Sequence, residues 1–158
     1  MPSRLIVRRP VGPQPPAPPA PEPQYLKELY VYEADFAGIN FGANATQGAI
    51  NIQANADFVI QKICMTADIA GAAVTDSSRV VPLCTILLTD GGSSRQLMSQ
   101  PVPLPNLFGN GELPFILPVP KMLKAKSTLQ IALANYSAAT NYNIRLSFIG
   151  YNLFDLTG

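Results

Sequence analysis

Histidine is missing from all 158 residues, and that one fact removes most of the chemistry a cluster of side chains could perform. Ser-His and Cys-His nucleophile systems, His-based zinc sites and the commonest general base all need an imidazole. Paired carboxylates, as in glycoside hydrolysis, are the enzymatic option left. Asp57, Asp68, Asp76, Asp90 and Glu112 all fall in expected loops or strand ends, where solvated turn roles account for them. Cys64 and Cys84 form a single pair without metal-ligand spacing, each in an apolar segment, and read as reduced core residues, with a disulfide as the alternative. Asp90-Gly91-Gly92 and Gly109-Asn110-Gly111 resemble phosphate-cradling loops only in composition. Neither is followed by the Lys-Ser/Thr of a P-loop, so both are expected to be turns. The chain is read as non-enzymatic, with no catalytic residue, no metal site and no cofactor.

Binding chemistry has more to work with. Tyr136 and Tyr142 bracket an expected loop and are the best candidates for stacking on a sugar, although the chain has no tryptophan. Two glycosylation sequons, Asn44-Ala-Thr46 and Asn135-Tyr-Ser137, come without a secretion signal and are read as chance matches. The strongest candidate is the N-terminal tip, where Arg4, Arg8 and Arg9 flank the β-prone triplet Leu5-Ile6-Val7. Such a segment suits addition to a neighbour's sheet edge, with the arginines pairing to acidic groups or carbonyls beside it.

A proline-rich spacer carries that tip. The first 24 residues hold nine of the 16 prolines. Proline lacks the amide donor and locks φ, so residues 10 to 23 are expected to run as polyproline II over roughly 40 Å. The organisation read from this is an extended arm, 1–24, followed by a single domain, 25–158. Basic and acidic residues nearly balance, 11 against 10, and only 13% of the chain is charged, which argues against nucleic acid as the main partner. Low charge with 47% hydrophobic residues suits a protein that covers much of its surface with partners. No apolar run approaches a membrane span, and Leu5-Ile6-Val7 is too short for a signal peptide. Synthesis in a cytoplasm, with no membrane partner, is the expectation.

The elements that must position these groups are strands. Ile50 and Ile52 alternate with Asn51 and Gln53, Phe58 to Thr66 is strongly β-prone, and Val80 to Thr89 leads into a Gly-containing hairpin loop. Phe115 to Leu117 reads as a short strand, with a helical turn expected around Lys121 to Lys124. Leu129, Ile131 and Leu133 alternate, as do Ile144, Leu146 and Phe148, and the two runs read as a final hairpin around Asn135 to Asn141. About eight short strands punctuated by Gly, Pro and Asn predict an all-β fold, a jelly-roll-like β-sandwich.

The order of elements from Phe58 to Leu153 adds a resemblance. Phe58-Val-Ile60 is followed by Leu87-Leu-Thr-Asp-Gly91, Arg95-Gln-Leu-Met-Ser-Gln-Pro-Val-Pro103, Phe108-Gly109 and Pro114-Phe-Ile-Leu-Pro118. Ser127-Thr-Leu-Gln-Ile131 with Asn135 comes next, and Ile144-Arg-Leu-Ser-Phe-Ile-Gly150 closes it. This resembles the jelly-roll cement, or decoration, proteins of tailed bacteriophages. The resemblance implies a capsid-stabilising virion protein, a homo-oligomer (dimer or trimer) bound to the major capsid protein on the capsid surface, bridging capsomers. The Pro-rich arm is not part of the pattern and would serve as a strap. A tail, vertex or fibre-anchoring virion protein is the alternative, and a carbohydrate-binding sandwich the third.

Overall fold

In the computed structural model, which describes residues 23–42, 45–73, 75 and 79–156, the alternating pattern resolves into two antiparallel sheets packed face to face. The elements run β1 (Tyr25–Ile39), β2 (Thr46–Asn51), β3 (Asp57–Ile69), β4 (Cys84–Asp90), β5 (Arg95–Gln96) and β6 (Val102–Pro103). A single helical turn, α1 (Leu104–Leu107), precedes β7 (Phe115–Leu123), β8 (Thr128–Asn135) and β9 (Tyr142–Asp155). The first sheet has the order β1-β9-β3-β7 and the second β2-β8-β4-β5, with β6 also beside β4. Early strands therefore pair with late ones in reverse: β1 with β9, β2 with β8, β3 with β7, and β4 with β5 and β6. That long double ribbon is rolled so that β9 also meets β3 and β8 also meets β4, which is a jelly roll.

Period-2 alternation decides what goes inside. From the first sheet come Phe36, Phe58, Ile60, Ile144, Leu146 and Phe148, and from the second Ile50, Ile86, Leu88, Leu129, Ile131 and Leu133. Burying each such side chain contributes about 1.5–3 kcal/mol. Leu104 of α1 and Phe108 close one side, with Phe108 edge-on to Phe148 at 5.7 Å between ring centroids. One extra residue, Gln61, bulges out of β3 against β9 between Ile60 and Lys62, while on the other side β7 carries the excess, with Leu117 to Pro120 between the partners of Lys62 and Ile60. The bulge reverses the strand's parity, so the inward positions pass from Phe58 and Ile60 to Ile63 and Ala67. Gly150 of β9 lies opposite; a Cβ there would collide with the Val59 carbonyl oxygen, so only glycine allows the backbones to approach this closely.

Several expectations need correction. Three strands are long, at 15, 13 and 14 residues for β1, β3 and β9. The segment Lys121 to Lys124 makes no helical turn; β7 continues to Leu123, with Pro118 and Pro120 in an irregular stretch that has no β3 partner, which an edge strand tolerates. The helical turn falls instead at Leu104–Leu107. The final hairpin does not exist as such. The β8 and β9 strands are where their alternation puts them, but they belong to different sheets, and the chain from Asn135 to Asn141 crosses between layers.

Candidate interaction surface

Two of the candidate carboxylates, Asp57 and Asp90, are held in structural roles. The Asp57 carboxylate pairs with Lys124 Nζ at 2.7 Å and accepts the Ala125 amide at 2.8 Å. Asp90 is buried at the start of the turn after β4, where it accepts from Gly92 N at 3.0 Å and Ser93 Oγ at 2.8 Å and pairs with Lys121 Nζ at 3.1 Å. Burial pushes its pKa up, but the Ser93 hydroxyl, the Lys121 ammonium and the Gly92 amide outweigh burial and hold it below the ordinary value. Asp68 lies on β3 and Glu112 in a turn ordered by Asn110 Oδ1; Asp76 falls outside the described residues. Among the described residues no group of three or more His, Cys, Asp or Glu could hold a metal, and no helix is long and apolar enough to cross a membrane.

The two glycine segments are turns. A Cβ at Gly109 would strike the backbone of Leu113 to Phe115, and the Gly109 carbonyl accepts the Met65 amide at 2.8 Å. Both cysteines are free. Cys84 is a core residue, as expected, with its thiol pushed up to about 11 by burial. Cys64 is not; it is half-buried on the outer face of the first sheet.

The tyrosine pair comes apart as well. Tyr136 is exposed, but Tyr142 is a core residue of β9, opposite both Ile39 and Ile69, so the loop presents one aromatic ring. Asn135 of the second sequon is 2% exposed, and its amide is fully engaged. Its Nδ2 donates to Ile39 O at 3.0 Å and Thr140 O at 2.8 Å, while Oδ1 accepts Ser137 N at 2.9 Å. It pins the crossing between the layers. Asn44 lies outside the described residues, as do Arg4, Leu5, Ile6, Val7, Arg8 and Arg9 of the arm.

The surface feature that sequence reasoning missed is the outer face of the first sheet. Register places side chains there in rows across all four strands. One row is Val31, Ile149, Lys62 and Ile116, and the next is Leu29, Tyr151, Val59 and Met122. Leu29 is 81% exposed, Ile116 65%, and Val31 and Met122 43% each. Leu153 extends the apolar surface, and Lys27 Nζ lies 5.2 Å from the centre of the Tyr151 ring. The other half of the same face is polar: Glu33 beside Ser147, then Asp35 on Arg145 at 2.6 Å, with the Arg145 pKa raised by the Asp35 carboxylate. A contiguous apolar half-face of this kind on the outside of a sandwich marks a contact surface. The outer face of the second sheet is uncharged throughout, built from Gln47, Ala49, Thr85, Leu87, Thr89, Gln130 and Ala132.

Edges complete the inventory. Three of them are blunted: β7 carries Pro118 and Pro120, β2 has six residues, and β5 and β6 have two each. The fourth, β1, is 15 residues without a proline, and its outer side pairs with no strand among the described residues. What the arrangement can do chemically is bind through apolar surface and backbone hydrogen bonds. Comparison with protein-family models, with curated proteins and with solved structures finds no match to this chain.

Proposed function

We propose that this chain is a non-enzymatic structural protein of a virion, which binds the outside of a phage capsid and stabilises it by bridging capsomers. The observation that carries the reading is the apolar half-face of the first sheet, with Leu29 and Ile116 most exposed, on a jelly-roll body. That surface offers mainly apolar burial, with Lys62 and Lys27 its charged side chains, which suits a permanent site on an assembled shell, where the major capsid protein would cover it. The Pro-rich arm serves as the strap. The stiffness expected of its proline content would limit the entropy lost on ordering, and many copies acting together would give avidity that one contact lacks.

The test is quantitative mass spectrometry of particles purified on a density gradient from cells that make the protein. The expected result is many copies per particle, in fixed ratio to the shell protein, lost with Leu29→Glu or Ile116→Glu. A handful of copies would point instead to a tail, vertex or fibre-anchoring part. Exclusion from particles would overturn the virion reading.

A further inference from the structure

Edge β1 displays Glu28-Leu-Tyr-Val-Tyr-Glu33, a β-prone stretch framed by two carboxylates five positions apart. The arm tip is Arg4-Leu-Ile-Val-Arg-Arg9, a β-prone stretch framed by two cations five positions apart. Laid side by side in the parallel sense, Arg4 meets Glu28, Leu5 meets Leu29, Ile6 meets Tyr30, Val7 meets Val31, Arg8 meets Tyr32 and Arg9 meets Glu33. In the antiparallel sense the frames match again, Arg4 with Glu33 and Arg9 with Glu28. Five is odd, so each segment's framing charges alternate to opposite faces, and the faces agree in either direction. Opposite charges directly across a strand pair are favourable and like charges unfavourable.

We propose that the outer edge of β1 is the docking site for the arm tip, residues 4–9, of a second copy of this chain. The edge is the one unblunted edge of the described sandwich. Its Glu28 and Glu33 are exposed and make no salt bridge among the described residues. The same two carboxylates disfavour the obvious competitor, β1 against β1, because antiparallel pairing centred on this stretch puts Glu28 opposite the other copy's Glu33. A second copy fits better than the chain's own arm. Eight prolines within residues 10–23 lead one to expect a stiff spacer of about 40 Å, which would carry the tip away from the β1 it precedes. The added strand would bring Leu5 and Val7, in the parallel sense, alongside Leu29 and Val31 and enlarge the apolar half-face. The strap role comes from the function proposed above; what the half-face binds does not enter.

The test uses the full chain and needs no capsid. Sedimentation velocity is run on wild type, on Arg4→Glu/Arg9→Glu, on Glu28→Arg/Glu33→Arg, and on an equal mixture of the two variants. The expected result is self-association of wild type, at least tenfold weaker association of each variant alone, and recovery to within about threefold of wild type in the mixture. A monomeric wild type overturns the proposal, as does association that ignores both charge reversals, or a mixture that stays monomeric. Circular dichroism checks that the body folds. If reversal on β1 unfolds it, a synthetic peptide of residues 2–10 titrated into wild type reads the same contact. Dissociation by that peptide and not by its scrambled form supports the site, and equal behaviour of the two overturns it. A wild type that stays monomeric yet incorporates normally into particles would sink this docking site and leave the virion reading standing.

Discussion

Asn135 is the residue whose replacement most directly tests how the two layers are joined. Its side chain is 2% exposed and makes three hydrogen bonds, two from Nδ2 to the carbonyls of Ile39 and Thr140 and one into Oδ1 from Ser137 N. Each bond contributes about 1 kcal/mol net, and a buried partner left unpaired costs about 1–3 kcal/mol. Asn135→Ala removes all three and opens a small cavity, so a loss of about 3–4 kcal/mol is expected. For a domain of this size that lowers Tm by roughly 10–15 °C. Asn135→Leu keeps the branched outline of four side-chain heavy atoms, leaves no cavity and loses the same bonds, and should cost about 2–3 kcal/mol. Urea unfolding of both variants, followed by far-UV circular dichroism, measures the midpoint shift at constant slope. If Asn135→Leu is as stable as wild type, the bonds are not what holds the crossing. A small effect in both variants would refute the whole account of the layer junction.

Three further outcomes follow from contacts already described. Gly150→Ala puts a methyl group onto the Val59 carbonyl in mid-sheet, where backbone must move, and should cost at least about 3 kcal/mol or abolish soluble expression. Gly111→Ala meets only open space, and in the same thermal melt should lie within about 0.5 kcal/mol of wild type. The Asp90 carboxyl is held below its ordinary value of 3.8 in the folded state, so the stability it contributes is complete above that pH and lost as pH falls through the lower folded value. The gap in urea midpoint between wild type and Asp90→Asn, about 1–2 kcal/mol at neutral pH, should therefore close in acid; a gap that does not change with pH would contradict the ionised pair. Native protein should show one thiol reactive toward a disulfide reagent at about pH 8. Cys64→Ser should remove that reactivity and Cys84→Ser should leave it, because Cys84 is fully buried with its thiol at about 11.

Alternation along one strand is a local signal, and it located what is local. Leu129, Ile131 and Leu133, and likewise Ile144, Leu146 and Phe148, point inward as their period demands. Which strands pair is decided elsewhere: short separation made β8 and β9 look like a hairpin, while the jelly roll gives β8 to β2 and β4, and β9 to β1 and β3. Proline read as a strand breaker misled at Pro118 and Pro120, because the cost of a missing amide vanishes on an edge. Tyr142 looked like loop because Asn and Thr precede it, yet it begins β9 and fills the core. The apolar half-face was illegible for a simple reason. Leu29, Val31, Ile149, Tyr151 and Leu153 are the residue types that fill cores, and hydrophobicity alone does not say which side of a sheet is covered. Only the register that aligns them with Val59, Ile116 and Met122 shows that they form rows facing outward.

The double-ribbon pairing has a consequence for synthesis. Tyr25 is in register with Asp155 and Phe36 with Ile144, while β3 takes its other neighbour from the same late segment, Phe58 opposite Asn152. A middle strand of the first sheet is thus translated after all its partners. A nascent chain carrying everything up to β8 can close the second sheet through β2, β4 and β8, but it holds β1 and β3 apart with a gap between them. Until the ribosome releases β9, Leu29, Val31 and the β3 edge stand open beside one another on polysomes where identical chains are crowded together. Pairings this distant in sequence also fold slowly. Productive yield should therefore depend on how quickly β9 clears the ribosome, and a stall engineered just before Tyr142 should drive the chain into aggregates that a stall before β2 does not produce.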